Sequence, residues 1–537
     1  MNNSCEINPQ NKTENPSPPI KIVLISTLVN SADLGLRTLS SVLKKAGYNV
    51  KIVFLITPMF SSKKFYSKKE LKQLELICKN CDLIGVSAFS STSSRAIQVI
   101  KKLKSLNKPI VWGGIHATLS PEDCIKYSDI VCVGEGEGAI LDLAEAIQEN
   151  KSIENIKNLW IRKNNKIIKN PVRNLIHNLD SLPFPDFEIK THFILKKGKI
   201  RRFNEKDFNG EIIIMSGRGC PYSCDYCSNN ALNSLYKGKR KSILRFNSVD
   251  YFIKELFHLK NKFLNTDFIE IIDDSFSLRP IKEIREFSKK YKQKIGLKFK
   301  ALVDPRTATD EKIKLLADAG CYMLAVGIQA TERVNKEIYH RNMTNKDILR
   351  CAKIFNKYKD KISVNYDVIT CNPYEKPEDL INLIKLIQKI PKPYRLDVSC
   401  LIYFPKTKLT LRALKDGLIT EKDLSSNLKY NDRGYHLLKI KKNLYLNLIV
   451  TLMRGVAIDN KIGSIKDSWF NYLLKEKRIK RNLKNPLSVI LFVKFLILHD
   501  FIKHHILRTI YHNLPEKFKR KYLELKYKNK IVYTEKN

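Results

Sequence analysis

Residues 211–228 read EIIIMSGRGCPYSCDYCS. The apolar run Ile212–Met215 predicts a strand, Gly217 and Gly219 predict a tight turn after it, and Cys220, Cys224 and Cys227 follow in CxxxCxxC spacing. Three thiolates at this spacing suit a 4Fe-4S cube, and the missing fourth ligand leaves one iron open to chelate another molecule. The competing reading is a zinc knuckle. Zinc favours four protein ligands with paired CxxC spacing, and no partner pair lies nearby in the sequence.

Outward from this stretch, strands and helices alternate on both sides. Downstream to about residue 415, EIIIMS, FIEIIDD, LKFKALV, MLAVGIQA, ISVNYDVIT and LDVSCLIYF are separated by helical segments, which indicates a partial (β/α)6 barrel with its active site at the carboxyl ends of the strands. Upstream, KIVLIS, YNVKIVFLI, DLIGVSAFS, PIVWGGIH and DIVCVGEGEGAI alternate with helices in the same way and indicate an N-terminal doubly wound, Rossmann-like α/β domain. Its glycine turns, Gly113-Gly114 and Gly134-Glu135-Gly136, fall where strands end, the place where such folds bind ligands. The expected divisions are a disordered leader over 1–19, the first domain over 20–148, a linker with a small hairpin over 149–205, the barrel over 206–425 and a basic helical C-terminal region over 426–537.

At 537 residues with 43% hydrophobic content, the chain is long enough for two or three cores. Twelve irregularly spaced cysteines and a polar first stretch lead us to expect a reducing, cytoplasmic setting. The formal net charge of +43 admits nucleic acid, an anionic membrane or an acidic substrate as partner. No RNA-recognition pattern or stacking-aromatic series is present, so nucleic acid is disfavoured. Cys78 and Cys81 form a CxxC, read as buried apolar residues because no second pair accompanies them. The 12-residue stretch 487–498, LSVILFVKFLIL, is too short to span a bilayer; it fits either a buried helix or an amphipathic helix on a membrane surface.

The cysteine spacing, Tyr226 and the glycine-flanked strand before them resemble the radical S-adenosylmethionine enzymes. The order VSAFS, WGGIHATLSPED, VGEGEGA and LDSLPFPDF, over roughly residues 20 to 415, resembles the cobalamin-binding branch of that family. The resemblance implies a 4Fe-4S cluster on Cys220, Cys224 and Cys227, S-adenosylmethionine on its open iron, and cobalamin in the first domain. It also implies that Ser87, Gly113, Gly114, His116, Thr118, Gly134, Glu135 and Gly136 line the corrinoid and its nucleotide tail. The loop STLVNSADLGLR has no DxHxxG, so no histidine is placed below cobalt, and His116 is read as a supporting or structural residue rather than a substitute. Tyr226 would flank the cluster, while Asp273 and Asp274 at a strand end would meet the methionine amine. Gln329 stands where the family usually has glutamate and Leu302 where it usually has arginine; in YFPKTKL, Lys406 replaces a glycine while Pro405, Thr407 and Leu409 match.

The function this implies is methylation of an unactivated carbon of a small-molecule or lipid substrate, with a flavodoxin or ferredoxin as electron donor. The alternatives are a radical oxidative cyclase or rearrangement enzyme in which cobalamin carries electrons, and a non-catalytic cobalamin sensor.

Overall fold

The computed structural model describes residues 18–56, 65–236, 243–421, 443–453 and 471–484. The first sheet is built from β1 (Lys21–Ser26), β2 (Asn49–Phe54), β3 (Leu83–Ser87), β4 (Ile110–Gly113) and β5 (Ile130–Cys132), all parallel. These strands are short and almost wholly apolar because helices cover both faces. Those helices are α1 (Leu34–Lys45), α2 (Lys68–Cys78), α3 (Ser93–Leu103), α4 (Ile115–Leu119), α5 (Pro121–Cys124) and α6 (Glu137–Gln148). Their starts are written locally: Asp33 caps α1, and Ser67 with Glu70 forms a capping box on α2.

The linker expected over 149–205 is more than a connector. It forms two hairpins, β6 (Leu159–Lys163) with β7 (Lys166–Lys169) and β8 (Phe193–Lys196) with β9 (Lys199–Arg202). They extend the sheet at both edges to nine strands in the order β7-β6-β5-β4-β3-β1-β2-β8-β9. Between the hairpins, the LPFPDF segment is pinned to α1 by Arg37. This arginine is 1% exposed, donates to Asp186 O at 2.6 Å, and lies 4.6 and 4.5 Å from the rings of Phe54 and Phe187. Asp186 in turn accepts from Ser40 Oγ at 2.6 Å and pairs with Lys44 at 2.7 Å.

The second sheet begins with β10 (Glu211–Ile214), followed by a short antiparallel ribbon of β11 (Gly217–Arg218) and β12 (Arg245–Phe246). It continues through β13 (Phe268–Ile271), β14 (Lys298–Val303), β15 (Cys321–Gln329), β16 (Ser363–Thr370) and β17 (Arg395–Cys400), six parallel strands in the order β10-β13-β14-β15-β16-β17. This is the expected partial barrel. In β16, Val364, Tyr366, Val368 and Thr370 are buried while the alternate residues are half-buried, so one face packs on the helices. The helices are α7 (Ser228–Leu235), α8 (Val249–Lys262), α9 (Ile281–Lys294), α10 (Asp310–Asp318), α11 (Asn345–Lys357), α12 (Pro377–Gln388) and α13 (Lys408–Lys415). Beyond them, α14 (Leu444–Leu452) packs on α12 and α15 (Glu476–Lys484) on α14.

Among the described residues, no helix is long and apolar enough to cross a membrane. The leader and the 487–498 stretch lie outside the described residues.

Candidate active site between the two sheets

The cysteine loop leaves β11 through Gly219, whose φ is +89° and whose added Cβ would stand 2.2 Å from Ile243 O, a position only glycine can hold. Both ends of the loop are tied down. Asn233 Nδ2 donates to Cys220 O at 2.9 Å and Asn230 Nδ2 to Ser223 O at 2.7 Å, both from α7. Asp225 N–H donates to Tyr339 O at 2.9 Å, Asp225 O accepts from Leu409 N–H at 3.0 Å, and His340 Nδ1 lies 2.6 Å from Asp225 Oδ2. Tyr226 packs edge-on against Tyr339, with ring centroids 4.8 Å apart. The loop is thereby fixed to the far side of the barrel, including the YFPKTKL element. Lys406 in that element has φ +58°, so it takes the left-handed turn that glycine adopts freely, and its Nζ pairs with Glu122 of the first domain at 2.9 Å.

Burial pushes the Cys220 thiol up to about 12 and the Cys227 thiol up to about 11, with a further rise from the neighbouring thiols. Burial also raises Cys224, against the pull of Arg341 and Arg306. These thiols are close enough to influence one another, and they become thiolates only when a metal displaces their protons. Among the described residues, no group of three or more His, Cys, Asp or Glu side chains, the loop cysteines included, is already gathered as for a metal ion.

Behind the loop, Arg306 lies over the Tyr222 ring at 3.5 Å and pairs with Asp304 at 2.8 Å. Arg341 is 5% exposed, donates to Gly327 O at 2.7 Å and to Asp304 Oδ2 at 3.2 Å, and has no partner for Nη1. Two arginines against one aspartate leave positive charge beside three potential thiolates, so the donor set and its surroundings fit an anionic cluster. Sequence reasoning noted that Leu302 stands where an arginine is usual; it did not identify Arg306 and Arg341, whose segments, DPRT and HRN, lie two elements apart and meet only in the fold.

Asp273 and Asp274 part company. Asp273 is 2% exposed; Oδ1 takes the Ser216 N–H at 2.6 Å and the Gly217 N–H at 3.2 Å, and Oδ2 takes the Ser216 hydroxyl. It ties β11 to the end of β13 and is not among the residues lining the cavity between the two domains, which moves the expected amine contact away from this residue. Asp274 lines a cavity together with Asn229, whose Nδ2 donates to it at 2.7 Å. Gln329 has φ +61° at a register shift between β15 and β16, and its amide lies beside Gly327 and Arg341.

This cavity, of about 590 Å³, lies between the two domains and is within the range of small-molecule pockets, about 300–1,000 Å³. Ser87, Gly113, Gly114, Thr118, Gly134, Glu135 and Gly136 line it from the carboxyl ends of β3, β4 and β5. Thr118 joins the two glycine turns, donating to Gly114 O at 3.0 Å and accepting from Gly134 N–H at 3.1 Å. Gly114 and Gly134 have φ +89° and +86°, and a Cβ on Gly134 would meet Tyr236 Oη at 2.6 Å. The turns are therefore glycine for steric reasons, and the cradle they leave suits a large planar ligand approaching the backbone.

Two expectations change here. His116 is not on the cavity wall; it is 3% exposed, lies 3.1 Å from Ser90 Oγ and packs near Trp112, and burial pushes its imidazole down to about 4. The Glu135 carboxylate is committed to protein partners. It accepts from Arg245 at 2.9 and 3.1 Å, from Arg218 at 3.2 Å and from Ile176 N–H at 3.0 Å, while Arg218 also reaches Glu137 at 2.7 Å. Burial opposes its charge, but Arg245 and Arg218 together hold its carboxyl below the usual range. VGEGEGA thus clamps the first domain to the β11–β12 ribbon that carries the cysteine loop.

Residues 20–144 match the B12 binding domain family and residues 214–387 the radical SAM superfamily. An uncharacterized methyltransferase of Pyrococcus horikoshii is 28% identical over 345 residues, covering 63% of this chain and 70% of its own length. Bacteriochlorophyllide d C-8(2)-methyltransferase of Chlorobaculum tepidum is 22% identical over 435 residues, covering 79% and 86%. Among solved structures, the cobalamin-dependent S-adenosylmethionine radical enzyme OxsB with aqua-cobalamin bound superimposes with a TM-score of 0.62 at 13% identity, covering 90% of this chain and 81% of that one, so the two share a fold.

Proposed function

Because the chain belongs to the cobalamin-binding radical S-adenosylmethionine enzymes, we propose that it methylates an unactivated carbon of a small-molecule substrate. When bound, the 4Fe-4S cluster and S-adenosylmethionine supply a 5'-deoxyadenosyl radical that removes a hydrogen atom, and cobalamin supplies the methyl group. The residues of the chain hold and orient. Cys220, Cys224 and Cys227 would take three irons. Asp274, with Asn229 beside it, would accept a hydrogen bond from the methionine amine, and Arg306 and Arg341 would offset the charge of the cluster. Ser87, Thr118 and the glycine turns would receive the corrinoid.

The observation that carries this reading is the shared cavity: Asp274 and Asn229 open onto it from the side of the cysteine loop, and Gly113, Gly114, Gly134 and Gly136 from the first sheet. A hydrogen-removing group and a methyl donor must reach the same carbon, so their seats must share a space. The electron donor in this reading is a flavodoxin or ferredoxin, attracted to a chain of net charge +43. A lipid substrate held at a membrane surface would be the special case in which residues 487–498 lie on the bilayer.

Anaerobic reconstitution with iron, sulfide and cobalamin tests the proposal. Bound corrinoid, 5'-deoxyadenosine and S-adenosylhomocysteine are expected together; cyclisation would form no S-adenosylhomocysteine, and a sensor would bind cobalamin without cleaving S-adenosylmethionine. No corrinoid at saturating supply would sink the methylation reading. Gly113→Leu separates the two halves of the site. An added Cβ at Gly113 meets only Cys132 Cβ at 3.7 Å, so the fold persists while the rest of the side chain fills the cavity. This variant is expected to lose corrinoid affinity by about tenfold or more and to keep its iron.

A further inference from the structure

Two cysteines of the barrel, away from the cluster loop, stand in contact. Cys371 follows the last residue of β16 and Cys400 ends β17; both are thiols, and their sulfurs lie 3.0 Å apart. Cys321 and Cys351 make a useful contrast. They are buried in the same core, but their thiols turn to backbone carbonyls, those of Met323 at 3.5 Å and Ile348 at 3.0 Å.

The contact is made by the backbone. Along β16, Val364, Tyr366, Val368 and Thr370 face the helices, so alternation would send residue 371 to the other side. Cys400 has the same parity on β17 as Leu396 and Val398, which face the helices. Cys371 joins it there because its φ is +61°, a left-handed conformation that a side chain with a Cβ rarely adopts. Hydrogen bonds hold this turn: Cys371 N–H donates to Asn447 Oδ1 of α14 at 3.0 Å, and Leu401 N–H to Thr370 O at 2.8 Å. A disfavoured angle that its neighbours enforce points to a use for the geometry it creates. From 3.0 Å, an S–S bond of about 2.05 Å is reached when each sulfur moves by about half an ångström.

We propose that Cys371 and Cys400 form an oxidisable dithiol, a modification site that a small disulfide such as glutathione disulfide closes into a bridge between the last two strands of the barrel. Cys400 is half-buried and Cys371 is 1% exposed, so Cys400 meets the oxidant. Its thiolate attacks one sulfur of the small disulfide, which breaks that S–S bond, forms a mixed disulfide and releases one thiolate. The adjoining Cys400 sulfur and burial both raise the Cys371 thiol, so Cys371 acts only on the sulfur it already touches. Once deprotonated, it attacks Cys400 Sγ and displaces the second thiolate. The chain loses two electrons and two protons, and the small disulfide gains them as two thiols. The bridge would fasten an edge: β17 ends the six-strand order and runs into YFPKTKL, whose Leu409 N–H holds Asp225 of the cysteine loop.

The test uses full-length protein, purified anaerobically with its cluster reconstituted and then incubated with excess glutathione disulfide. Remaining thiols are blocked with N-ethylmaleimide before digestion with trypsin, which places Cys371 and Cys400 in separate peptides, 362–385 and 396–406. These two are expected joined, about tenfold or more above any pair that includes Cys321 or Cys351, and separated by dithiothreitol. Cys371→Ser should stop at the mixed disulfide on Cys400, and Cys400→Ser should leave Cys371 a thiol. Oxidation should raise the unfolding temperature of the parent by a few degrees and leave that of Cys400→Ser where it was. These readouts need neither corrinoid nor substrate.

No joined pair in the native protein, or Cys371 and Cys400 joined to other cysteines as often as to each other, overturns the proposal. A joined pair that leaves the unfolding temperature unmoved overturns the fastening of the edge strand.

Discussion

Cys224→Ala is expected to abolish reductive cleavage of S-adenosylmethionine, with 5'-deoxyadenosine at background, while the protein stays folded. Two remaining thiolates cannot hold a cube that already leaves one iron without a protein ligand, so iron should drop from about four to below about one per chain. The fold should survive because the loop does not depend on this sulfur. Its backbone is held through Asp225 to Tyr339 and Leu409, and through Asn230 and Asn233 from α7. Cys224 is small and 8% exposed, so its loss costs about 1–1.5 kcal/mol, a shift of a few degrees in the unfolding temperature. Iron analysis, the cleavage assay and a thermal scan on one preparation read all three. Retained cleavage would refute the assignment of Cys224 as a ligand.

The features legible from sequence are those whose physics is local. CxxxCxxC fixes three donors on one loop, and glycine turns after apolar runs mark strand ends, so the two-sheet order and the cradle could be read directly. Alternation of strands and helices likewise gave the parallel sheets. What escaped is decided by docking. Glu135 looked like a ligand-facing residue because its turn lies at a strand end; its carboxylate is taken by Arg218 and Arg245, more than 80 and 100 residues away in sequence. No spacing rule pairs residues across two domains.

Asp273 and Asp274 illustrate a finer limit. Adjacent residues at the end of a strand point to opposite sides, so a pair of acids seldom serves one ligand. Which of the two faces the cavity depends on the register of β13, and that is set by pairing with β10 and β14. Asp273 turns inward to Ser216 and Gly217, where it positions the start of the cysteine loop, and Asp274 keeps the cavity. Glu255 was hidden for the opposite reason. On α8 it occupies a face shared with Phe252, Leu256 and Leu259, where an amphipathic pattern predicts an apolar residue. A charge-bearing residue at a buried helical position breaks that pattern, and burial pushes its carboxyl up to about 8.

Glu135→Ala is expected to loosen the two domains and to weaken corrinoid binding without touching the cluster. The substitution strands Arg245, whose side chain is 7% exposed, with only the carbonyls of Ile176 and Ile243 as partners. Breaking a buried pair by removing one partner costs about 3–5 kcal/mol, and the partial exposure of Glu135 and Arg218, 19% and 24%, brings the expected loss to about 2–3 kcal/mol. Arg245→Ala should cost less, because Glu135 keeps Arg218 and the Ile176 N–H, and the double variant should cost less than the sum.

The pH dependence follows from the same pairs. The folded carboxyl titrates below its ordinary value of 4.5, so the clamp contributes fully above that value and is lost as the pH falls through the lowered one. Thermal scans of the parent and Glu135→Ala should therefore differ most above pH 5 and converge in acid. Limited proteolysis should open the connector over 171–192 sooner in the variant, since Glu135 also holds the Ile176 N–H. Iron content should match the parent, because the cysteine loop is anchored from the barrel side. A variant as stable and as protease-resistant as the parent at neutral pH would mean that the clamp does not hold the domains together, and that the ribbon is positioned by Asp273 and the barrel alone.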